Sequence, residues 1–242
     1  MTSAKDRYLA TGDFFETPAW ATRAIVPYIK DAVGASSFGV LDPCAGKGAI
    51  LKTLRDEFLL PGANHFGAIE LQPKYALECE EAGFDTKVGD ALTMDWGRPR
   101  LIVFNPPYHL AMQFVKAAIE RMAHDGWTFA LLRQAFAAGG SRQAFHDANP
   151  SDQRVLPRRP TFCISVVCKN PKKLKGKAVC GLRLRLAATD PRPKVCPNCG
   201  AKVGVSSSDT SEYAWFGFGM GIGGRWSSIK IEKPKRGKLL AA

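Results

Sequence analysis

The sequence predicts an α/β protein built on a doubly wound sheet with helices on both faces. Two observations predict it. Short apolar runs such as Val40-Leu41 and Leu101-Ile102-Val103-Phe104 alternate with stretches of helical periodicity. That alternation is the pattern of βαβ units and a parallel sheet. In addition, four of the strand units end in an acid or an amide: Asp42, Glu70, Asp90 and Asn105. Ligands of open α/β sheets bind beyond the carboxyl ends of the strands, so these four ends would converge on one crevice.

Thr17 with Pro18 reads as N-cap and first helical position, opening a helix toward Asp31 that Pro27 should kink. Residues 38–42 are the first strand, and residues 48–60 a helix stopped by Pro61-Gly62. Residues 65–70, 84–88 and 101–104 are the next three strands, with a helix from Pro73 to Ala82. Residues 109–124 form a helix with Met112, Val115, Ile119 and Met122 on one face. Trp127 to Leu132 is the fifth strand. Arg133 to Asn149 is partly helical, broken by Gly139-Gly140. Val155-Leu156, Phe162 to Val167 and Tyr213 to Phe218 complete the strands.

The strand ends carry distinct chemistry. Val40 to Ile50 is a strand, a glycine loop and a helix start, in which Gly46 and Gly48 permit close backbone approach. The third glycine of a pyrophosphate loop is absent and Asp42 precedes the turn, so the loop suits an ammonium or sulfonium group better than a phosphate. Glu70 sits about 20 residues past the loop, where a ribose-hydroxyl partner is expected. Asp90, beside Ala91, can accept from an adenine amino group. Asn105-Pro106-Pro107-Tyr108 stops its strand, because neither proline can donate to a ladder. It offers an amide, a carbonyl and an aromatic ring, which together suit a planar ring bearing an amino group.

These residues resemble one family, the class I S-adenosylmethionine-dependent methyltransferases that carry an (N/D/S)-P-P-(Y/F) motif and methylate amino groups. The resemblance covers roughly residues 13–135 and, with Tyr213-Ala214-Trp215-Phe216, is greatest to compact phage-type DNA N6-adenine methyltransferases. It implies a seven-stranded Rossmann-like sheet closed by a hairpin of the last two strands. It also implies a cofactor site of Phe15, Thr17, Pro18, Asp42, Cys44, Ala45, Gly46, Gly48, Glu70, Asp90, Ala91 and Asn105. Phe14-Phe15-Glu16-Thr17-Pro18 would lie against the methionine end of the cofactor, and Asn105, Pro106, Pro107 and Tyr108 would be the catalytic motif. Against restriction-modification members, the chain is expected to do without a large target-recognition domain.

Charge points to the partner. Residues 1–150 hold 15 Lys and Arg against 17 Asp and Glu, whereas residues 151–242 hold 19 against 5. A basic third of this kind is the footprint of a polyanion. Arg154, Arg158, Arg159, Lys172, Lys173, Lys175, Arg183 and Arg185 are the expected backbone contacts of DNA, with RNA not excluded. Residues 1–167 and 209–229 are expected to form the methyltransferase domain, 168–208 a basic cysteine-rich insertion, and 230–242 a basic flexible tail. In the insertion, Cys196-Pro197-Asn198-Cys199-Gly200 reads as a zinc knuckle. Cys168 and Cys180 are the candidate remaining ligands, and Cys163 a weaker substitute. The segment holds few apolar residues and needs a metal staple to order.

The odd count of seven cysteines argues against a disulfide framework and for reduced thiols in a cytoplasmic protein. No apolar run approaches the ~20 residues of a membrane span, and the N-terminus has no signal-peptide core. A monomer is expected. The resemblance further implies direct methyl transfer to N6 of an adenine flipped out of the stack. The same tetrapeptide occurs in enzymes that methylate an RNA base or a protein glutamine, and the basic third disfavours the glutamine version. A zinc-bearing nucleic-acid-binding module with an inactive cofactor fold is disfavoured by the intact Asp42, Glu70, Asp90 and Asn105.

Overall fold

The computed structural model describes residues 16–34, 37–57, 59–160, 162–168, 183–187, 193–197, 199–207 and 211–219. Its main sheet has seven strands in the order β3-β2-β1-β4-β5-β10-β6. They are β1 (Phe38–Asp42), β2 (Ala63–Glu70), β3 (Asp85–Val88), β4 (Leu101–Phe104), β5 (Trp127–Arg133), β6 (Asp152–Val155) and β10 (Tyr213–Gly219). The first five pair in parallel, and β10 runs antiparallel to both β5 and β6. Strand order reverses at β1, which lies between β2 and β4. That reversal opens a crevice at the carboxyl ends of these strands.

All four residues of β4 are fully buried, because the strand is covered on both faces. Leu101 and Val103 belong to one apolar cluster, with residues of α1 (Ala19–Arg23), α2 (Val26–Val33) and α3 (Ala49–Asp56). Ile102 and Phe104 belong to the other, with Phe114, Val115 and Ala118 of α5 (Ala111–Arg121). Burying each large side chain contributes about 1.5–3 kcal/mol. Between these, α4 (Pro73–Glu81) connects β2 to β3. On α5 the buried stripe is Ala111, Phe114, Val115, Ala117 and Ala118, flanked by the partly buried Met112, Ile119 and Met122.

Several expected boundaries move for physical reasons. The single helix expected from Thr17 is two, because Pro27 sits in the first turn of α2, where its missing N–H costs nothing. Thr17 does not cap α1; Pro18 is the N-cap residue, and the Thr17 hydroxyl accepts a bond from Asn105 instead. The segment after β5 is two 3-10 turns (Gln134–Ala137 and Gly140–Arg142) and the short α6 (Gln143–Ala148).

The largest difference lies in β7 (Cys163–Cys168), expected from sequence within the larger domain. It pairs instead with β8 (Arg183–Ala187) and β9 (Val203–Ser207) in a separate three-stranded antiparallel sheet. The partner of β10 in the closing pair is β6, which begins three residues before the expected Val155. The small sheet thus takes in residues from Cys163 rather than from 168.

Gly48 joins the glycine loop to α3 in the left-handed region, at φ +75°, and an added Cβ would lie 2.8 Å from the Phe84 ring. Gly48→Ala is therefore expected to cost about 2–5 kcal/mol, combining backbone strain with overpacking against a buried ring. The contact component is separated by making the same change in a Phe84→Leu background, where the added Cβ meets no ring. Urea unfolding measures the difference, and equal losses in both backgrounds would remove the Phe84 contact from the account.

Candidate active site

The site starts at the end of β1. Asp42 is 1% exposed, and its Oδ1 accepts a bond from the Cys44 N–H at 3.0 Å. The carboxylate thus holds its own loop in shape. Burial pushes Asp42 up to about 7, against the Cys44 hydrogen bond and with help from the Glu70 charge. The loop is also pinned from β2: Ala45 N–H donates to the Ile69 carbonyl at 3.1 Å, and Gly46 N–H to Glu70 Oε2 at 2.8 Å. From α4, the buried Cys79 thiol donates to the Gly46 carbonyl at 3.3 Å, and burial pushes that thiol up to about 12.

Glu70 closes β2, 2% exposed, with its other oxygen accepting from Gln72 N–H at 2.8 Å. Burial raises its pKa, opposed by the backbone N–H groups of Gln72, Gly46 and Leu71. Asp90 follows β3 and accepts from Leu92 N–H at 3.0 Å. A cavity of about 170 Å³ lies among these groups. Cys44, Glu70, Asp90, Ala91 and Pro107 line it, with Leu71, Leu92, Leu110 and Phe114 as apolar walls. Two acids, Glu70 and Asp90, thus stand in an otherwise largely apolar wall. Asp42 is not in the wall; it lies beneath the loop.

Asn105 stands where β4 ends. Its Nδ2 donates to Thr17 Oγ1 at 3.1 Å, and its carbonyl accepts from the Cys44 thiol at 3.5 Å. Thr17 lines a second cavity, of about 620 Å³, with Pro18, Trp20 and Lys52. Asn105 thus contacts the walls of both cavities. Burial first, then the Asp42 and Glu70 charges, hold the Cys44 thiol well above its ordinary pKa, which disfavours the nucleophilic thiolate. Tyr108 opens a 3-10 turn (Tyr108–Leu110) and packs against Tyr213 at 5.5 Å and Phe162 at 6.4 Å between ring centroids.

Sequence reasoning missed Arg133, whose guanidinium lies 4.6 Å over the Tyr108 ring. The signal was available, since Arg133 is the last residue of β5 and strand ends build the crevice. It also missed Lys52 and Trp20 in the second cavity. Phe15 lies outside the described residues.

The expected polyanion contacts divide. Arg158 and Arg159 are exposed at the second cavity. Arg154 is not a backbone contact: it is 4% exposed and stacks 4.0 Å over Tyr28. Its β6 strand turns Asp152 and Arg154 inward and leaves Val155 exposed, the reverse of the usual alternation. Lys172, Lys173 and Lys175 lie outside the described residues, and Arg183 and Arg185 lie in β8.

The small sheet brings cysteines together. Cys168, Cys196 and Cys199 have sulfurs within 4.8 Å of one another, with Cys168 and Cys199 at 3.5 Å. The knuckle turn is held by Cys196 N–H to the Ala201 carbonyl and Gly200 N–H to the Cys196 carbonyl, both 2.8 Å. Cys180 lies outside the described residues, and Cys163 pairs with Ala187 in β7.

Among the described residues no helix is long and apolar enough to cross a membrane. No family profile and no curated protein matches the chain. Solved structures do. A Pyrococcus horikoshii protein provisionally described as an RNA methyltransferase superposes with a TM-score of 0.50 at 14% identity, over 85% of each chain. A Listeria monocytogenes protein provisionally described as a class I S-adenosylmethionine-dependent methyltransferase gives 0.53 at 10% identity, over 90% of this chain and 63% of that one. The strand order and these likenesses together show that the chain has the Rossmann-like fold of class I S-adenosylmethionine-dependent methyltransferases.

Proposed function

We propose that the chain is an S-adenosylmethionine-dependent methyltransferase acting on the N6 amino group of adenine in DNA. The observation that carries this is the place of Asn105, opening a Pro-Pro-Tyr turn at the switch point and touching the walls of two cavities. Glu70 would hold the cofactor's ribose, Asp90 its adenine, and the loop from Asp42 to Gly48 with Thr17 and Pro18 its methionine end. The cofactor supplies a methyl group made electrophilic by a sulfonium.

The chain's own task is to prepare the amine. The lone pair of an exocyclic amine is delocalised into its ring and is a poor nucleophile. Donating Nδ2 to Thr17 turns the Asn105 carboxamide so that Oδ1 lies on its other branch. Oδ1 and the Pro106 carbonyl accepting the two amino hydrogens would favour a pyramidal nitrogen with a freer lone pair. The Tyr108 ring offers a stacking surface. The Arg133 guanidinium lies over that ring and donates to the Tyr213 hydroxyl, so a base stacking on the same face would have to displace it. Oriented acceptors and positioning supply the acceleration. Reaching the amine requires a base out of the duplex stack.

Methyl transfer to DNA, to RNA and to a glutamine-bearing protein, measured side by side, tests the substrate. Long-read sequencing of DNA from cells expressing the chain would give modification and context together. Transfer to RNA or protein alone would overturn the DNA assignment.

The small sheet is proposed to hold one structural zinc on Cys168, Cys196 and Cys199, with Cys180 the fourth ligand expected from sequence. Zinc–thiolate bonds of about 2.3 Å place the sulfurs of a tetrahedral site about 3.8 Å apart, close to the 3.5 Å seen and far from the ~2.05 Å of a disulfide. The double variant Cys196→Ser/Cys199→Ser is expected to lose zinc and keep S-adenosylmethionine affinity. It should also lose nucleic-acid affinity, most at low salt. Elemental analysis finding no zinc in the wild type, with full activity after exhaustive chelation, would overturn the metal site.

A further inference from the structure

The larger cavity has walls that an adenine and a cofactor leave unused. Lys52 comes from α3, and Arg158 and Arg159 from the segment after β6; Glu16 is the acid in the same lining. Trp20 lines the same cavity, and the Arg158 guanidinium stacks 4.3 Å over its ring. Stacking uses the face of a guanidinium and leaves its in-plane N–H fork available, the geometry that matches phosphate oxygens. Arg159 makes a 3.8 Å ion pair with Glu212, both side chains more than half exposed. Such a pair is weak and gives way to a stronger anion. The same cavity includes Thr17, whose hydroxyl holds Asn105. A chain whose base reaches Asn105 would therefore run its backbone past these cations.

We propose that this cavity is a phosphate subsite: Lys52, Arg158 and Arg159 take the phosphodiester next to the methylated nucleotide and fix the strand in register with Asn105. It rests on the nucleic-acid reading of the function. DNA and RNA share this phosphodiester chemistry. Cations drawn from two separate segments onto one concave wall suit a single anion rather than a solvated face.

The test measures binding of short single-stranded DNA and RNA to the full chain over a range of salt, for wild type, Lys52→Gln, Arg158→Gln and Arg158→Lys. S-adenosylmethionine affinity is measured in parallel. Each glutamine variant should flatten the dependence of log K on log salt, and the two combined by about 0.7, the value of the one phosphate contact they share on a single strand. The loss should be independent of the sequence around the adenine, and cofactor affinity should hold, which also reports folding. Arg158→Lys should recover the salt slope, which a purely structural role on Trp20 would not predict. The nucleic acid showing the larger loss identifies the source of the phosphate. Wild-type salt slopes in both glutamine variants, alongside methyl transfer to nucleic acid, would overturn the subsite alone. A wild type that binds cofactor but neither nucleic acid would overturn the subsite and the functional reading together.

Discussion

Asn105→Ala is expected to lower the rate of methyl transfer by about 10²–10³-fold while leaving S-adenosylmethionine affinity close to wild type. One oriented polar group aimed at the reacting centre is typically worth that much, about 2.7–4 kcal/mol. The structural part of the loss is smaller. Removing the carboxamide breaks its bond to Thr17, and a neutral hydrogen bond contributes about 0.5–1.5 kcal/mol. The two effects separate by measurement: denaturation reads the second, single-turnover transfer the first. The backbone carbonyl that accepts from Cys44 remains in the variant, so the cofactor loop keeps that support. Transfer at the wild-type rate would remove Asn105 from catalysis, and a rate loss no larger than the stability change would make it a scaffold residue.

The strand ends were legible because a buried apolar run that stops at a polar residue has few structural explanations. Asp42, Glu70 and Asn105 each close a strand, and β1 pairs with both β2 and β4, so the sheet itself brings the three together. What the sequence hid was non-local. Whether Phe162 to Val167 joins the main sheet depends on strands some twenty and forty residues onward, and no property of the run itself marks which sheet it enters. Arg154 was misread because a cation in a strand reads as exposed; the Tyr28 ring of α2, more than a hundred residues earlier, and the Asp152 charge offset its burial. The Thr17 hydroxyl was read as a helix cap because local bonding is all that a sequence displays. Its partner, Asn105, lies 88 residues away.

Cofactor affinity is expected to weaken as pH falls below 7, approaching tenfold per pH unit, with a proton released on binding in that range. The cause is Asp42, whose pKa burial raises to about 7, with the neighbouring Glu70 also raised. An acid raised in the folded state contributes stability that is fully present below its unfolded value near 3.8 and lost as pH rises through about 7. At neutral pH the ligand-free protein therefore carries a buried charge on Asp42 that burial disfavours. A cationic ammonium or sulfonium near the loop favours the ionised form, which lowers the Asp42 pKa and couples binding to deprotonation. Calorimetry in buffers of different ionisation enthalpy counts the proton. Asp42→Asn should flatten the profile, and its carboxamide oxygen can still accept from the Cys44 N–H, so the loop should keep its shape. Burial raises Glu70 too, against the backbone N–H groups that it accepts, so a residual slope in Asp42→Asn would be assigned to Glu70 and tested with Glu70→Gln. An affinity independent of pH in the wild type would detach Asp42 from the charge of the ligand and leave it the loop anchor alone.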